Sequence, residues 1–261
     1  NFDVYITSAS NAVVTGNTFT SSVFFDTAAG THSVTGNTFN NYNSATRNLR
    51  VGAHAAAGLG SNTFNNTGAN SLAEILGQVL TVDGTWSALG GGSVPYSVVT
   101  GDVTIGNSPT TLVTLGLGPG VTVRFASGSA LFVGTTLSRG ALVAAGTALQ
   151  PILLTTASAT PAPGQWQGVY FDELSDDATS LLDYCTIEYA GQTYSADVRL
   201  VGASPRIRNS ILRNSSVYGI YGTASGGFSS PIVQANTFSG NANDDVLLSG
   251  GSNANLTGNT F

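Results

Sequence analysis

A short motif, Val-Thr-Gly-Asn-Thr-Phe, recurs along the chain and limits the possible folds more than any other feature. It stands at residues 14–19, returns unchanged at 34–39, and reappears in part around Asn62, Asn236 and Asn259. A looser copy occupies residues 207–211. Neighbouring copies are 20 (17 to 37), 25 (37 to 62), 27 (209 to 236) and 23 (236 to 259) residues apart. Steps of this size are typical of stacked units that each need a neighbour to bury their apolar side.

Each copy places an apolar residue before two small or polar residues, then Asn, a hydroxyl residue and Phe or Ile. Because Asn tolerates the left-handed backbone region, we expect it at a one-residue corner between two short strands. Stacked corners would align the amides into a ladder, in which each hydrogen bond contributes about 0.5–1.5 kcal/mol. For any single copy, a simple loop residue remains an equal alternative. The predicted ladder residues are Asn17, Asn37, Asn62, Asn209, Asn236 and Asn259, and the predicted inward core stack is Phe19, Phe39, Phe64, Ile187, Ile211, Phe238 and Phe261.

The composition favours short strands over helices. Charged residues make up 8% of the chain, against about 25% in an ordinary globular domain. The net charge of −6 argues against nucleic-acid binding, which needs a clustered basic face. No apolar run approaches the roughly 20 residues that a membrane-spanning helix needs. Cys185 is the only cysteine, so no internal disulfide forms; it stands where other copies have Asn, and we expect it to pack as a small apolar group.

Short apolar runs separated by Gly, Ser and Asn follow one another through the whole chain. Residues 73–82 fit a helical turn or a strand, and the strand is preferred because coils on both sides demand continuity. The run Gly90-Gly91-Gly92 marks a unit boundary. We therefore divide a continuous solenoid into 1–84, the closing coils of one unit, and 85–261, the opening and middle coils of the next.

The coil pattern resembles the right-handed parallel β-helix repeat of pectate-lyase-like proteins. Residues 118–125, 146–152, 164–171 and 182–191 follow an order that resembles the opening coils of units in large secreted or surface-displayed bacterial proteins. The resemblance implies an all-β, single-stranded, right-handed parallel β-helix of roughly ten coils, outside the cell or on its surface. It implies little about activity, because this architecture carries lyases, hydrolases, epimerases, adhesins and inert fibres.

A longer period links the two ends of the sequence. Residues 1–19 and 243–261 match at a constant offset of 242, with eleven identical positions. This match predicts a tandem macro-repeat of about 242 residues, cut from a longer array. The alternative is that both ends follow one coil consensus.

No catalytic constellation stands out. The dense acidic group is Asp172, Glu173, Asp176 and Asp177, and a further pair is Asp244-Asp245. Asp176 and Asp177 could in principle supply the two carboxylates of a glycoside hydrolase, but solvated loop acids are the preferred interpretation. His32 and His54 have no convergent acid and are expected at the surface. We predict no enzyme activity, no cofactor and no metal site.

The sequence leaves two alternative functions. The first is an extracellular structural rod, fibre or stalk that stacks end to end through self-association. The alternative is a polysaccharide-binding or polysaccharide-degrading domain, with Trp86, Trp166, Tyr170 and Tyr189 as sugar platforms.

Overall fold

The computed structural model describes residues 2–7, 12–26, 33–40, 49–65, 71–223 and 227–261. Short strands joined by turns make up nearly all of this part of the chain. Two 3₁₀ segments interrupt them, at Ala55–Ser61 and Gly90–Gly92. The strands before residue 90 are β1 (Phe2–Thr7), β2 (Val13–Thr15), β3 (Thr18–Phe19), β4 (Ser22–Asp26), β5 (Ser33–Thr35), β6 (Thr38–Phe39), β7 (Leu49–Gly52), β8 (Thr63–Phe64), β9 (Ala73–Leu76), β10 (Val79–Leu80) and β11 (Gly84–Trp86).

The strands after residue 90 continue the same pattern with slightly longer elements. They are β12 (Tyr96–Thr100), β13 (Val103–Ile105), β14 (Val113–Leu117), β15 (Thr122–Phe125), β16 (Ala130–Val133), β17 (Gly140–Ala145), β18 (Ile152–Thr156), β19 (Gly168–Phe171), β20 (Leu181–Asp183), β21 (Cys185–Glu188), β22 (Ala196–Val201), β23 (Arg206–Arg208), β24 (Ile211–Arg213), β25 (Tyr218–Thr223), β26 (Ile232–Gln234), β27 (Thr237–Ser239), β28 (Val246–Leu248) and β29 (Asn255–Thr257).

Three long sheets run along the molecule. The sheet with ten strands, called the long sheet from here on, has the order β1-β4-β7-β9-β12-β15-β18-β21-β24-β27. The first side sheet is β10-β13-β16-β19-β22-β25-β28, and the second side sheet is β11-β14-β17-β20-β23-β26-β29. Two small sheets, β2-β5 and β3-β6-β8, complete the N-terminal part. From β9 onward the chain visits the three long sheets in turn, and each strand lies parallel on the strand of the previous pass. This is the predicted all-β parallel β-helix.

The core lies inside the coil because each strand alternates between inward and outward side chains. In β14, for example, Val113, Leu115 and Leu117 are buried while the residues between them are half-buried. Inward residues of successive coils stack at the same height of the sheet, as Leu154 does on Ile187. The apolar side chains therefore form one column along the axis, in which every coil covers the next.

Residues 73–82 form strands rather than a helix, as preferred from the sequence. β9 and β10 occupy this stretch and pair with β12 and β13 of the following coil. The suggested boundary after residue 84 falls inside β11, and the long sheet continues on both sides of it. The division into two units stays a prediction.

The two matching end stretches occupy different places in the solenoid. Phe2–Thr7 belongs to the long sheet, whereas the matching residues near Val246–Leu248 belong to the first side sheet. Phe19 lies in the small sheet β3-β6-β8, while its match Phe261 stacks on Phe238 of the long sheet. Similar sequences thus form coils whose strands are assigned to different sheets.

Candidate functional site

An asparagine ladder joins the first coils. The backbone N–H of Asn17 donates to Asn37 Oδ1 at 3.0 Å, and the backbone N–H of Asn37 donates to Asn62 Oδ1 at 2.9 Å. The Asn37 side-chain amide also donates to Asn62 Oδ1 at 3.0 Å and to the Val14 carbonyl at 2.8 Å. Asn37 is 1% exposed, so removing its amide would orphan several buried groups.

A second ladder joins the last coils, and here the sequence prediction for Asn209 is wrong. The ladder position in that coil is Ser210, whose backbone N–H donates to Asn236 Oδ1 at 2.9 Å. Asn236 continues to Asn259, because its backbone N–H donates to Asn259 Oδ1 at 2.9 Å. In the preceding coil the Cys185 N–H donates to Ser210 Oγ at 3.0 Å, which places Cys185 in the row as expected.

The correction has a backbone cause. The left-handed residue is the one before the ladder residue: φ is +64° at Gly36, +50° at Asn209, +55° at Ala235 and +67° at Gly258. The ladder asparagines themselves do not have positive φ. Asn209 therefore takes the position that Gly holds elsewhere, and its side-chain amide donates to Asp183 Oδ1 at 2.8 Å instead.

The core stack shows the same shift of one residue. Phe19, Phe39, Phe64, Ile187 and Phe238 are buried. Ile211, however, is 37% exposed, and the inward residue of its strand is Leu212, which pairs with Phe238.

The end residue of the predicted core stack also departs from the prediction. Phe261 stacks on Phe238, with ring centroids 5.3 Å apart, but remains 65% exposed.

A further polar row at the other end of the long-sheet strands was missed from the sequence. The Ser215 N–H donates to Asn241 Oδ1 at 3.0 Å, and the Asn241 amide donates to the Leu212 carbonyl and to Asp245 Oδ1. Left-handed residues, Asn214 and Gly240, again come directly before. The repeated pair of a left-handed residue and a small polar residue could have revealed this row.

The carboxylates are used mainly to join coils. Asp83, Asp102 and Asp177 each accept a backbone N–H from the following coil, at 2.8, 2.8 and 2.6 Å. Others form ion pairs with arginines: Arg50–Glu74, Arg139–Asp176, Arg208–Asp183 and Arg213–Glu188. Two of these pairs involve Arg208 and Arg213, which stand close together in the sequence.

Asp176 and Asp177 have different surroundings. Hydrogen bonds from Thr179, together with Arg139, lower the pKa of Asp176. Burial raises the pKa of Asp177, which accepts the Ser204 N–H. Opposite shifts of neighbouring carboxyls can separate an acid from a base, but both groups here already bond to the protein.

Asp197 lies fully buried where β22 begins. Its Oδ1 accepts the Ala190 N–H at 3.2 Å, whereas Oδ2 has no hydrogen-bond partner. Burial raises the pKa of this carboxyl well above its usual value, and the nearby Glu188 carboxylate adds to the shift. Burial therefore favours the protonated form of Asp197 in the folded chain.

The aromatic residues proposed as sugar platforms divide into two groups. Trp86 and Trp166 are 2% and 0% exposed, so neither is a surface platform, which corrects the prediction; Tyr189 is half-buried. Trp166 instead stacks on Phe125 inside the core, with the ring centroids 4.4 Å apart.

Tyr170 belongs to a half-exposed row on the outer face of the first side sheet, which consists of Phe132, Tyr170, Arg199 and Tyr221 on consecutive strands. Tyr194 packs against this row, and the Arg199 guanidinium lies 4.0 Å from the centre of the Tyr221 ring.

The histidines and acids form no metal site in the described ranges. His54 bonds to the Val79 carbonyl at 2.7 Å, and His32 lies outside the described residues. Within those ranges, no group of three or more His, Cys, Asp or Glu side chains could hold a metal ion. The described helical segments include none that is long and apolar enough to cross a membrane.

Comparison with known proteins identifies the architecture of the C-terminal coils. The family described as the right-handed beta helix region matches residues 166–261. Searches of curated proteins and of solved structures gave no significant match.

Proposed function

This chain is a right-handed parallel β-helix repeat protein, and we propose that it acts as a stiff structural rod outside the cell or on its surface. The observation that supports this function is the use of polar side chains along the axis. Ladder amides, carboxylates and ion pairs bond one coil to the next instead of converging on a cleft. Such contacts resist bending and local unfolding, because each coil is fixed to both neighbours.

The proposal includes association of rods end to end. The ladder has a direction, since each ladder N–H donates to the Asn oxygen of the following coil. Asn259 thus presents its N–H at one end, and the side-chain oxygen of Asn17 can accept at the other. Exposed apolar residues, Val13 at one end and Leu256 and Phe261 at the other, would be covered in the same contact.

Sedimentation velocity over a wide concentration range tests this association. We expect the sedimentation coefficient to rise with concentration, and Asn17→Asp with Asn259→Asp to suppress the rise by placing like charges at the contact. Asp substitution at the exposed Leu149 is the control, because it lies in the middle of the rod. A monomer at every concentration would contradict end-to-end association.

The tandem array belongs to the same proposal. If residues 1–19 and 243–261 begin successive copies, equivalent strands of the two copies lie in different sheets, as observed for β1 and β28. Successive copies would then turn the same surface to different sides of the rod. Reading the gene on both sides of the present sequence tests the array: further copies at 242-residue spacing support it, and their absence contradicts it.

A second candidate function, polysaccharide binding, is favoured by the aromatic row on the first side sheet. Half-exposed aromatic faces suit stacking on sugar rings, and Arg199 could bond an acidic group. Tyr170→Ala and Tyr221→Ala should each weaken retention on an acidic polysaccharide column, whereas the exposed Tyr5 replaced by Ala should not. Equal retention of all variants would contradict this role.

The enzymatic form of this candidate needs the acids in the 172–177 loop. Incubation with acidic polysaccharides would release reducing ends or unsaturated products if Asp176 and Asp177 were catalytic, and Asp177→Asn would abolish the release. The rod proposal expects no product from either protein.

A further inference from the structure

The outer face of the long sheet carries a single file of polar and charged residues along the axis. The pairing of β7, β9, β12, β15, β18, β21 and β24 places these residues side by side. In order they are Arg50, Glu74, Ser97, Arg124, Thr155, Glu188 and Arg213.

At each end of this file, a glutamate and an arginine neutralise each other in an ion pair. Arg50 Nε lies 2.7 Å from Glu74 Oε2, and the Glu74 side chain is 1% exposed. At the other end Arg213 donates from Nε and Nη2 to Glu188 Oε2, each at 2.7 Å, while the Thr155 hydroxyl donates to Glu188 Oε1 at 3.0 Å. Each buried carboxylate therefore has a guanidinium from a neighbouring strand.

Arg124, in the middle, differs from both pairs. Its neighbours in the file are Ser97 and Thr155, so each glutamate is two strands away, which corresponds to about 10 Å. Across the ranges that the structure describes, every other arginine contacts a carboxylate, a carbonyl or an aromatic ring, but Arg124 contacts none. Its side chain is half-buried, so this cation is partly removed from water without a counter-charge.

A shallow groove opens at the end of β15, the strand that holds Arg124. It is lined by Ala126, Ser127, Thr156, Ala157, Ser158 and Gln165. Ala126 follows Arg124 by two residues, and Thr156 and Ala157 continue the strand that holds Thr155. The lining presents hydroxyl, amide and methyl groups and no charged side chain. Ser158 and Gln165 also bond to the neighbouring backbone.

We propose that Arg124 and this groove bind a small hydroxylated carboxylate. The planar guanidinium presents paired N–H donors that match a carboxylate, and one negative charge balances the one unpaired cation. Glu74 and Glu188 are already paired with Arg50 and Arg213, so a dianion such as phosphate would leave one of its two charges without a partner. The hydroxyl groups of the ligand would bond to the serine and glutamine side chains of the groove. The proposal does not depend on the rod function.

The test uses the whole chain, labelled with ¹⁵N, and D-glycerate as the probe. The Arg124 Nε–H resonance is assigned from its loss in Arg124→Gln. We expect a saturable shift of this resonance on titration with glycerate. Inorganic phosphate should bind at least tenfold more weakly, and neutral glycerol should give no shift.

Three variants separate binding from structural damage. Arg124→Gln should reduce the affinity at least tenfold, as reported by shifts of the Ser127 and Ser158 amides. Ala157→Leu, which fills the groove, should reduce it while leaving the Arg124 resonance in place, and Arg50→Gln should leave it unchanged. Linear, unsaturable shifts, or equal affinity in Arg124→Gln and the unmodified chain, would overturn the proposal.

Discussion

At the ladder corners of the coil, two neighbouring residues have different structural roles. The first takes the left-handed conformation, and the second bonds to the coil above. Gly36 and Asn37 divide the tasks in this way, as do Ala235 and Asn236. A residue's contribution to stability at a corner therefore depends on which of the two positions it holds.

Replacing a ladder amide should be costly. In Asn236→Ala the buried Ser210 N–H loses its acceptor and the Ile207 carbonyl loses the bond from the Asn236 amide, while Asn259 Oδ1 keeps only the backbone N–H of residue 236. Since a buried orphaned group costs about 1–3 kcal/mol, we expect a clear fall in the urea midpoint. Asn209→Gly is the matched control: it keeps the left-handed backbone and loses one contact with Asp183, so its midpoint should change little. A larger fall in the urea midpoint of Asn209→Gly than of Asn236→Ala would indicate that Asn209 is a ladder residue after all.

Ala235 holds a left-handed conformation that suits Gly better. With φ at +55°, its Cβ costs about 1–2 kcal/mol, whereas Gly adds a backbone-entropy cost of about 0.5–1 kcal/mol. Ala235→Gly should therefore raise the urea midpoint slightly. Ala242→Gly, at an exposed position without positive φ, should lower it. A fall in both variants would show that the corner is not strained.

Strand periodicity and turn chemistry allowed much of this solenoid to be predicted from sequence. The strands near residues 73–82 and the row position of Cys185 followed from continuity with neighbouring coils. The coil at Asn209 was misplaced by one residue, because Asn can fill either corner position and only the stacking partner decides between them. The burial of Trp86 and Trp166 was also missed, since large aromatic residues fit equally well in a coil core and on a surface.

At the scale of single strands, the start of β22 carries a group that makes stability depend on pH. Burial holds the pKa of Asp197 above the ordinary 3.8 in the folded chain. Below pH 3.8 the carboxyl is protonated in both states and has no effect on unfolding. As the pH rises from there towards the folded pKa, the unfolded chain loses a proton that the folded chain keeps, so stability falls.

Asp197→Asn should remove this dependence. The amide keeps an oxygen for the Ala190 N–H and cannot ionise. We expect the variant to exceed the unmodified chain in urea midpoint by a margin that grows as the pH rises above 4. Parallel pH profiles for the two proteins would mean that Asp197 is ionised when folded. Asp176→Asn serves as the comparison: the pKa of Asp176 is lowered in the folded chain, so its margin should not grow over the same range.

At the scale of the whole molecule, the ladders, ion pairs and stacked core all act along one axis. The long sheet contains ten parallel strands, and strands lie about 4.8 Å apart, so this sheet extends over roughly 43 Å. From β9 onward each strand lies parallel on the strand of the previous coil. These properties fit the proposed rod, and they are compatible with a binding face along its side.

Small-angle X-ray scattering over a concentration series tests the rod proposal most directly. The account predicts a constant cross-sectional radius at all concentrations, together with a length that grows in steps of one chain as rods stack. A particle whose length stays that of a single chain at every concentration, or whose cross-section widens as it associates, would contradict it.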